Sequence, residues 1–210
     1  MIHNFQDGNV RVCINAPSAE TQNTKIHYEC GKLSVNAERA ASRVIELVWP
    51  LPLPQNAKLL GDAWERGYGE LGWRSLPEAG EMPWYFLAYA NGKTIAFGVK
   101  TQPNALCWWT ADGETVTLHA DISCGAEPVR LNGRTLRVCE VVTAEYDCEP
   151  FEAAQHFCRT LCDTPRLPEE PVYGGNDWYC NYGESSFEKI LTHAKRIAAC
   201  APKDSPRPYM

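Results

Sequence analysis

Two stretches of this chain hold the residue types that chemistry needs. The first is Gly61-Asp-Ala-Trp-Glu-Arg-Gly-Tyr-Gly-Glu-Leu-Gly-Trp-Arg74, with four glycines, three large aromatics, three carboxylates and two arginines in fourteen positions. Such a loop suits a sugar, whose flat C–H faces stack on indole and whose hydroxyls bond to Asp, Glu and Arg. The same composition also serves a structural loop in which a Glu–Arg pair is buried beneath tryptophan lids, and the residues alone leave both readings open. Glu65 and Glu70 could be imagined as a catalytic pair. Nothing in the sequence sets either in an apolar pocket that would raise its pKa for acid duty. The second stretch, Pro171-Val-Tyr-Gly-Gly-Asn-Asp-Trp-Tyr-Cys-Asn-Tyr-Gly183, sets Asp177 beside Trp178.

Other chemistries find no footing. There is no Gly-x-Ser-x-Gly elbow, phosphate loop or dinucleotide fingerprint. The five histidines (3, 27, 119, 156 and 193) lack metal spacing, so neither a metal nor a cofactor is expected. His193 falls on the polar side of its helix, facing solvent, while His119 falls within a strand and is open to a core or a surface role. The ten cysteines include no Cys-x-x-Cys pair, and Cys158 and Cys162 stand four apart on a predicted helix. The first residues, Met1-Ile-His-Asn-Phe-Gln-Asp7, lack the basic and apolar regions of a signal peptide, which implies a cytoplasmic protein with buried free thiols. A disulfide set stays open if the true start lies upstream. With 26 acidic and 20 basic residues the net charge is −6, against a nucleic-acid surface, and no apolar run is long enough to span a membrane.

The elements that must position these stretches are mainly strands. Alternation marks residues 10–14, 25–29, 43–49, 84–90, 94–100, 106–110, 115–122 and 135–146. Gly31, Asn36, Asn91-Gly92, Asp112-Gly113 and Asn132-Gly133 read as turns. Pro50-Leu-Pro-Leu-Pro54 reads as a stiff extended connector. Short strands at this spacing predict an antiparallel β-sandwich. Trp108-Trp109 puts one indole on each face of its strand, one in the core and the other left as a sugar platform or an interface residue. Residues 151–162 read as a helix with Phe151, Ala154, Phe157 and Leu161 on one side. The proline-rich run from Thr164 to Pro171 is a linker, giving a first domain over 1–165 and a second segment over 166–210.

That last segment reads as strand, helix, and the opening of another strand. Ser185 and Glu188 form a capping box, followed by an apolar stripe of Phe187, Ile190, Leu191, Ala194, Ile197 and Ala198. This is the start of a βαβ unit, and its helix demands a parallel sheet that one strand and four further residues cannot build. The expectation is therefore the front part of a longer protein; the alternative is a complete small protein with a strand-helix appendage.

The run Pro171–Gly183 resembles the first barrel strand of the melibiase-type α-galactosidases. Gly61–Trp73 is similar to a loop of that family's N-terminal domain, and Phe157-Cys158 with Leu161-Cys162 and the following prolines fit its helix and linker. The resemblance implies an N-terminal β-supersandwich followed by a truncated (β/α)8 barrel. Residues Val172–Cys180 would be barrel strand one, 186–200 helix one, and Arg207–Met210 the opening of strand two. By the same carry-over Trp178 lines a galactose pocket, Asp177 reaches a sugar hydroxyl, and Asp62 and Trp64 belong to a loop that reaches a neighbouring subunit's site in some oligomeric relatives. The family's two catalytic aspartates lie on later strands. The implied function is the N-terminal portion of a glycoside hydrolase acting on α-galactosides or related α-linked sugars, inactive by itself and carrying no catalytic residue. Its partners would be carbohydrate, with homo-oligomer contacts through the sandwich. The rival readings are a free-standing carbohydrate-binding module and an oligomerisation domain.

Overall fold

The computed structural model describes residues 11–14, 23–41, 43–69, 71–123 and 127–210. Contacts divide the chain into a unit ending at Asp163 and a second spanning Thr164–Met210.

The first unit is two antiparallel sheets sharing a core. One has five strands, in the order β1 (Arg11–Ile14), β4 (Val44–Trp49), β11 (Val116–Asp121), β10 (Leu106–Ala111) and β7 (Met82–Pro83). The other has seven: β2 (Lys25–Glu29), β3 (Lys32–Asn36), β12 (Thr135–Tyr146), β9 (Lys93–Val99), β8 (Tyr85–Ala90), β5 (Lys58–Gly61) and β6 (Arg74–Ser75). Alternation decides which side chains enter the core. Val116, Leu118 and Ala120 are buried while Thr117, His119 and Asp121 face outward. Trp109 is fully buried among Phe86, Phe97 and Trp49, and its neighbour Trp108 faces out, as the paired indoles require.

Of the chain's several crossings between the sheets, two lie side by side at one corner. Trp84, with φ +65°, links β7 to β8; its N–H donates to Cys107 O (2.9 Å), and its carbonyl accepts from Val99 N (3.2 Å). A strap of residues 100–105 links β9 to β10 alongside it, with Asn104 N donating to Val138 O at 2.8 Å.

The hairpin turn Asn91-Gly92 has φ +54° and +77°, the left-handed pair that a two-residue turn demands. Cys30-Gly31 makes the same turn between β2 and β3. Asn36 is not a turn: it pairs with Lys25 and Thr135 inside the sheet, and its amide donates to Gly133 O and Arg134 O. Strands β3 and β5 lie where no clear alternation was read. The helix α1 (Pro150–Thr160) buries Ala153 and Phe157, with Leu161 just beyond it, against Leu87 and Ala96. Phe151, expected on the packed side, is 77% exposed, because the buried line runs at intervals of four from Ala153. Of the eight cysteines whose side chains are described, only Cys107 is fully buried; Cys30, Cys158, Cys180 and Cys200 are exposed, and Cys107, Cys139, Cys148, Cys158, Cys162, Cys180 and Cys200 are free thiols. Among the described residues no helix is long and apolar enough to cross a membrane.

The second unit has one parallel pairing, Gly174 with Tyr209. Tyr209 N donates to Tyr173 O (2.9 Å) and Gly175 N to Tyr209 O (3.1 Å). A Cβ on Gly174 would meet Tyr209 O at 2.1 Å, so only glycine allows this approach. The expected strand Val172–Cys180 ends early, because Trp178–Asn181 is a helical turn, α2. The main helix α3 is Phe187–Cys200, and its N-cap is Ser186, not Ser185. The reason is local: the Ser185 hydroxyl is donated to Asp177, leaving the next serine to accept from Lys189 N. No residue of α3 is buried, and Phe187, Ile190 and Leu191 of its apolar stripe are exposed.

Candidate functional site

The aromatic loop spans the gap between β5 and β6, which pair through Lys58–Ser75 and Leu59–Arg74. It is held at its root by Asp62, whose carboxylate is buried. Oδ1 accepts from Ala63 N (2.9 Å) and Arg66 Nε (2.8 Å), and Oδ2 accepts from Arg66 Nη2 (2.5 Å). The Arg66 hydrogen bonds hold the Asp62 carboxyl below its ordinary range, despite the opposing effect of burial. The arginine partner is thus Asp62; Glu65 instead accepts from Gly67 N and remains exposed. Gly69 N donates to Glu65 O (2.8 Å), and a Cβ on Gly69 would lie 2.3 Å from Ala63 Cβ, so the turn closes only on glycine. Glu70 lies outside the described residues.

The loop's outer part rests on the five-stranded sheet. Cross-strand register aligns Glu46, His119 and Trp108 on its outward face. His119 stacks on Trp108 (centroids 5.0 Å apart, planes at 7°), and its ring nitrogens contact Glu46 Oε1 (3.2 Å) and Thr110 Oγ1 (2.9 Å). Trp64 meets Trp108 edge-on at 5.9 Å and donates Nε1–H to Glu81 Oε2 at 2.9 Å. Trp108 is therefore a strut between His119 and Trp64, with neither of its faces left as a broad platform. Trp64 itself stays 50% exposed; Tyr68 and Trp73 of the same loop are also exposed, Trp73 lying edge-on to Tyr89 of the seven-stranded sheet at 6.5 Å. Below Trp73, the buried Nε and Nη2 of Arg74 have no hydrogen-bond partner among the described residues. Exposed indoles and phenol above an ion-paired root can stack on an apolar ring face and bond to hydroxyls.

In the second unit, Asp177 and Trp178 are adjacent at the end of the extended segment. Asp177 Oδ2 accepts from Ser185 Oγ (2.5 Å) and Asn181 Nδ2 (3.4 Å), and the Ser185 hydroxyl lowers the Asp177 pKa. Trp178 is 58% exposed and meets Tyr182 edge-on at 6.0 Å. Its backbone N–H caps back onto Asn176 Oδ1 at 3.2 Å. Asp62 and Trp64 are thus brought together in one unit, and Asp177 and Trp178 in the other. Sequence reasoning missed the Glu46–His119–Trp108 row and Glu81. Alternation left His119 open to either face and did not say which indole of Trp108-Trp109 points outward, and it could not give the strand register that aligns them.

The fold and these two clusters define a mainly β protein of two antiparallel sheets, followed by a segment with a long helix and one isolated parallel bridge. No family model matches the chain, and no curated protein matches it.

Proposed function

We propose that this chain is the N-terminal portion of a glycoside hydrolase acting on α-galactosides or related α-linked sugars, with the catalytic carboxylates on barrel strands beyond Met210. The observation that carries the reading is the parallel Gly174–Tyr209 pairing around a helix whose apolar stripe is exposed. A parallel pair joined by a helix is the unit from which a (β/α)8 barrel is built, and each such helix lies on a sheet. The resemblance of 61–73 and 171–183 to melibiase-type enzymes supplies the substrate class. In this reading Trp178 and Asp177 face the sugar from the C-terminal end of strand one, and the loop to which Asp62 and Trp64 belong reaches the site of a neighbouring subunit, with Asp62 bracing its root through Arg66.

Extending the coding sequence past Met210 tests the proposal: in the family it resembles, barrel strand two runs into an Asp-Asp-Gly-Trp segment whose carboxylates bind the sugar, so that motif is expected in frame, and a stop codon or unrelated sequence there would overturn the reading. Residues 1–210 alone are expected to show no turnover of an aryl α-galactoside above a buffer blank.

The exposed Trp64, Tyr68 and Trp73 favour a second reading, a carbohydrate-binding module. Titration with galactose and raffinose, followed by tryptophan fluorescence, separates the readings: saturable binding that survives deletion of residues 166–210 favours the module.

A further inference from the structure

Cys107 and Cys139 come from different sheets and meet at the corner where the chain crosses between them. Cys107 on β10 pairs with fully buried Ala120, so its side chain points into the core, where it is 5% exposed. Cys139 is on β12, one residue after Val138. Simple alternation would send one of these two neighbours out to solvent. A bulge between Arg137 and Cys139 shifts the register, so that Cys139 pairs with Leu33, a core residue, while Val138 also stays fully buried. The bulge therefore re-aims Cys139 inward, toward the other sheet.

Packed sheets normally stand about 10 Å apart, so a disulfide between them needs a local approach that brings the two Cα atoms to roughly 4.4–6.8 Å. At this corner the strap leading into β10 is hydrogen-bonded to β12. Asn104 donates through its backbone N–H to Val138 O and through its side chain to Arg137 O, both at 2.8 Å, and Cys107 follows three residues later. Cys139 packs against the core cluster that contains Cys107, and the neighbouring Cys107 thiol together with burial raises the Cys139 pKa; the Cys107 thiol itself donates to Ala105 O at 3.7 Å. Outside the corner lies an open cleft of ≈ 620 Å³ with Cys139 in its lining, walled by Gln102, Asn104 and Arg137.

We propose that Cys107 and Cys139 form a redox-modifiable pair, closing to a disulfide that ties the five-stranded sheet to the seven-stranded one. The oxidant is a low-molecular-weight disulfide entering by the cleft. The Cys139 thiolate attacks one of its sulfurs, forming a mixed disulfide and releasing the first small thiolate, which takes the Cys139 proton. The Cys107 thiolate then attacks Cys139 Sγ, forming the cross-sheet disulfide and releasing the second small thiolate, which takes the Cys107 proton. The protein loses two hydrogens and the small disulfide is reduced to two thiols. Cys139 makes the first attack because it lines the cleft, and its burial makes that step slow.

The test incubates the whole chain with oxidised glutathione and maps non-reduced peptides by mass. Expected is a Cys107–Cys139 linked peptide, reversed by dithiothreitol, with a melting temperature raised by roughly 5–15 °C. Cys107→Ser should trap glutathione on Cys139, and Cys139→Ser should leave Cys107 unmodified. Differential alkylation of the unaltered protein gives the same answer without variants: both thiols should lose reactivity together. Oxidation confined to the exposed Cys30, Cys158, Cys180 and Cys200, or an unchanged mass loss in Cys107→Ser, would overturn the proposal.

Discussion

Helices α1 and α3 carry the same kind of apolar stripe and meet opposite fates. Along α1, Ala153, Phe157 and the following Leu161 are 0–1% exposed against β8 and β9. Along α3, Phe187 is 73% exposed and nothing is buried. The difference teaches that amphipathic spacing states a demand for cover, while the sheet nearby decides whether the demand is met. A buried Phe contributes roughly 1.5–3 kcal/mol relative to an exposed one. The first unit gains that term and the second does not.

The contrast can be broken from its strongest side first. Phe157→Ala should destabilise the first unit by about 3–5 kcal/mol, read as a lower denaturant midpoint with unchanged slope. A loss under 1 kcal/mol would mean that α1 does not close the sandwich. Gly174→Val should abolish the parallel pairing, since its Cβ would overlap Tyr209 O. Amide exchange at Gly175 and Tyr209 should then rise to the rate of an open chain while the first unit keeps its protection.

Asp62→Asn should cost about 1 kcal/mol, because it weakens charge-assisted hydrogen bonds to an arginine that is itself largely exposed. The sign with pH follows from the lowered carboxyl pKa. The stabilisation is complete above the ordinary value of 3.8 and is lost as pH falls through the lower native value. The Asn variant should lack that portion of the acid limb in a pH series of melting curves. Phe187→Ala should change stability by less than about 0.5 kcal/mol, the range for surface positions. A larger loss would show that the α3 stripe is covered in solution, for instance by self-association.

Much of the first unit was legible in the sequence because its strands alternate cleanly and its turns carry Asn-Gly or a lone glycine. What alternation cannot give is register, since pairing brings together residues far apart in the chain. The partnership of Glu46, His119 and Trp108 was therefore invisible, and the direction of His119 and the choice between Trp108 and Trp109 stayed open as well. The aromatic loop was recognised by composition, but its ion pair was assigned to the wrong carboxylate. Asp62 holds Arg66 because the two lie four apart across a tight turn, a geometry set by the Gly69–Ala63 contact rather than by residue type. The helix cap was placed one residue early for a similar reason: Ser185 had a competing acceptor in Asp177. In the second unit the helix was legible from its period. The extended run was overread, since aromatic residues with strand propensity also occupy the α2 turn.

The pairing of Gly174 with Tyr209 also carries a kinetic consequence. Its two halves lie far apart in sequence, so in an unstructured chain their encounter would carry a loop-closure penalty. Forming α3 first shortens the effective tether and brings the two ends of the segment closer. The order of events is thereby set as helix before bridge, and variants that weaken the α3 cap at Ser186 should slow the joining of the strands more than they speed their separation.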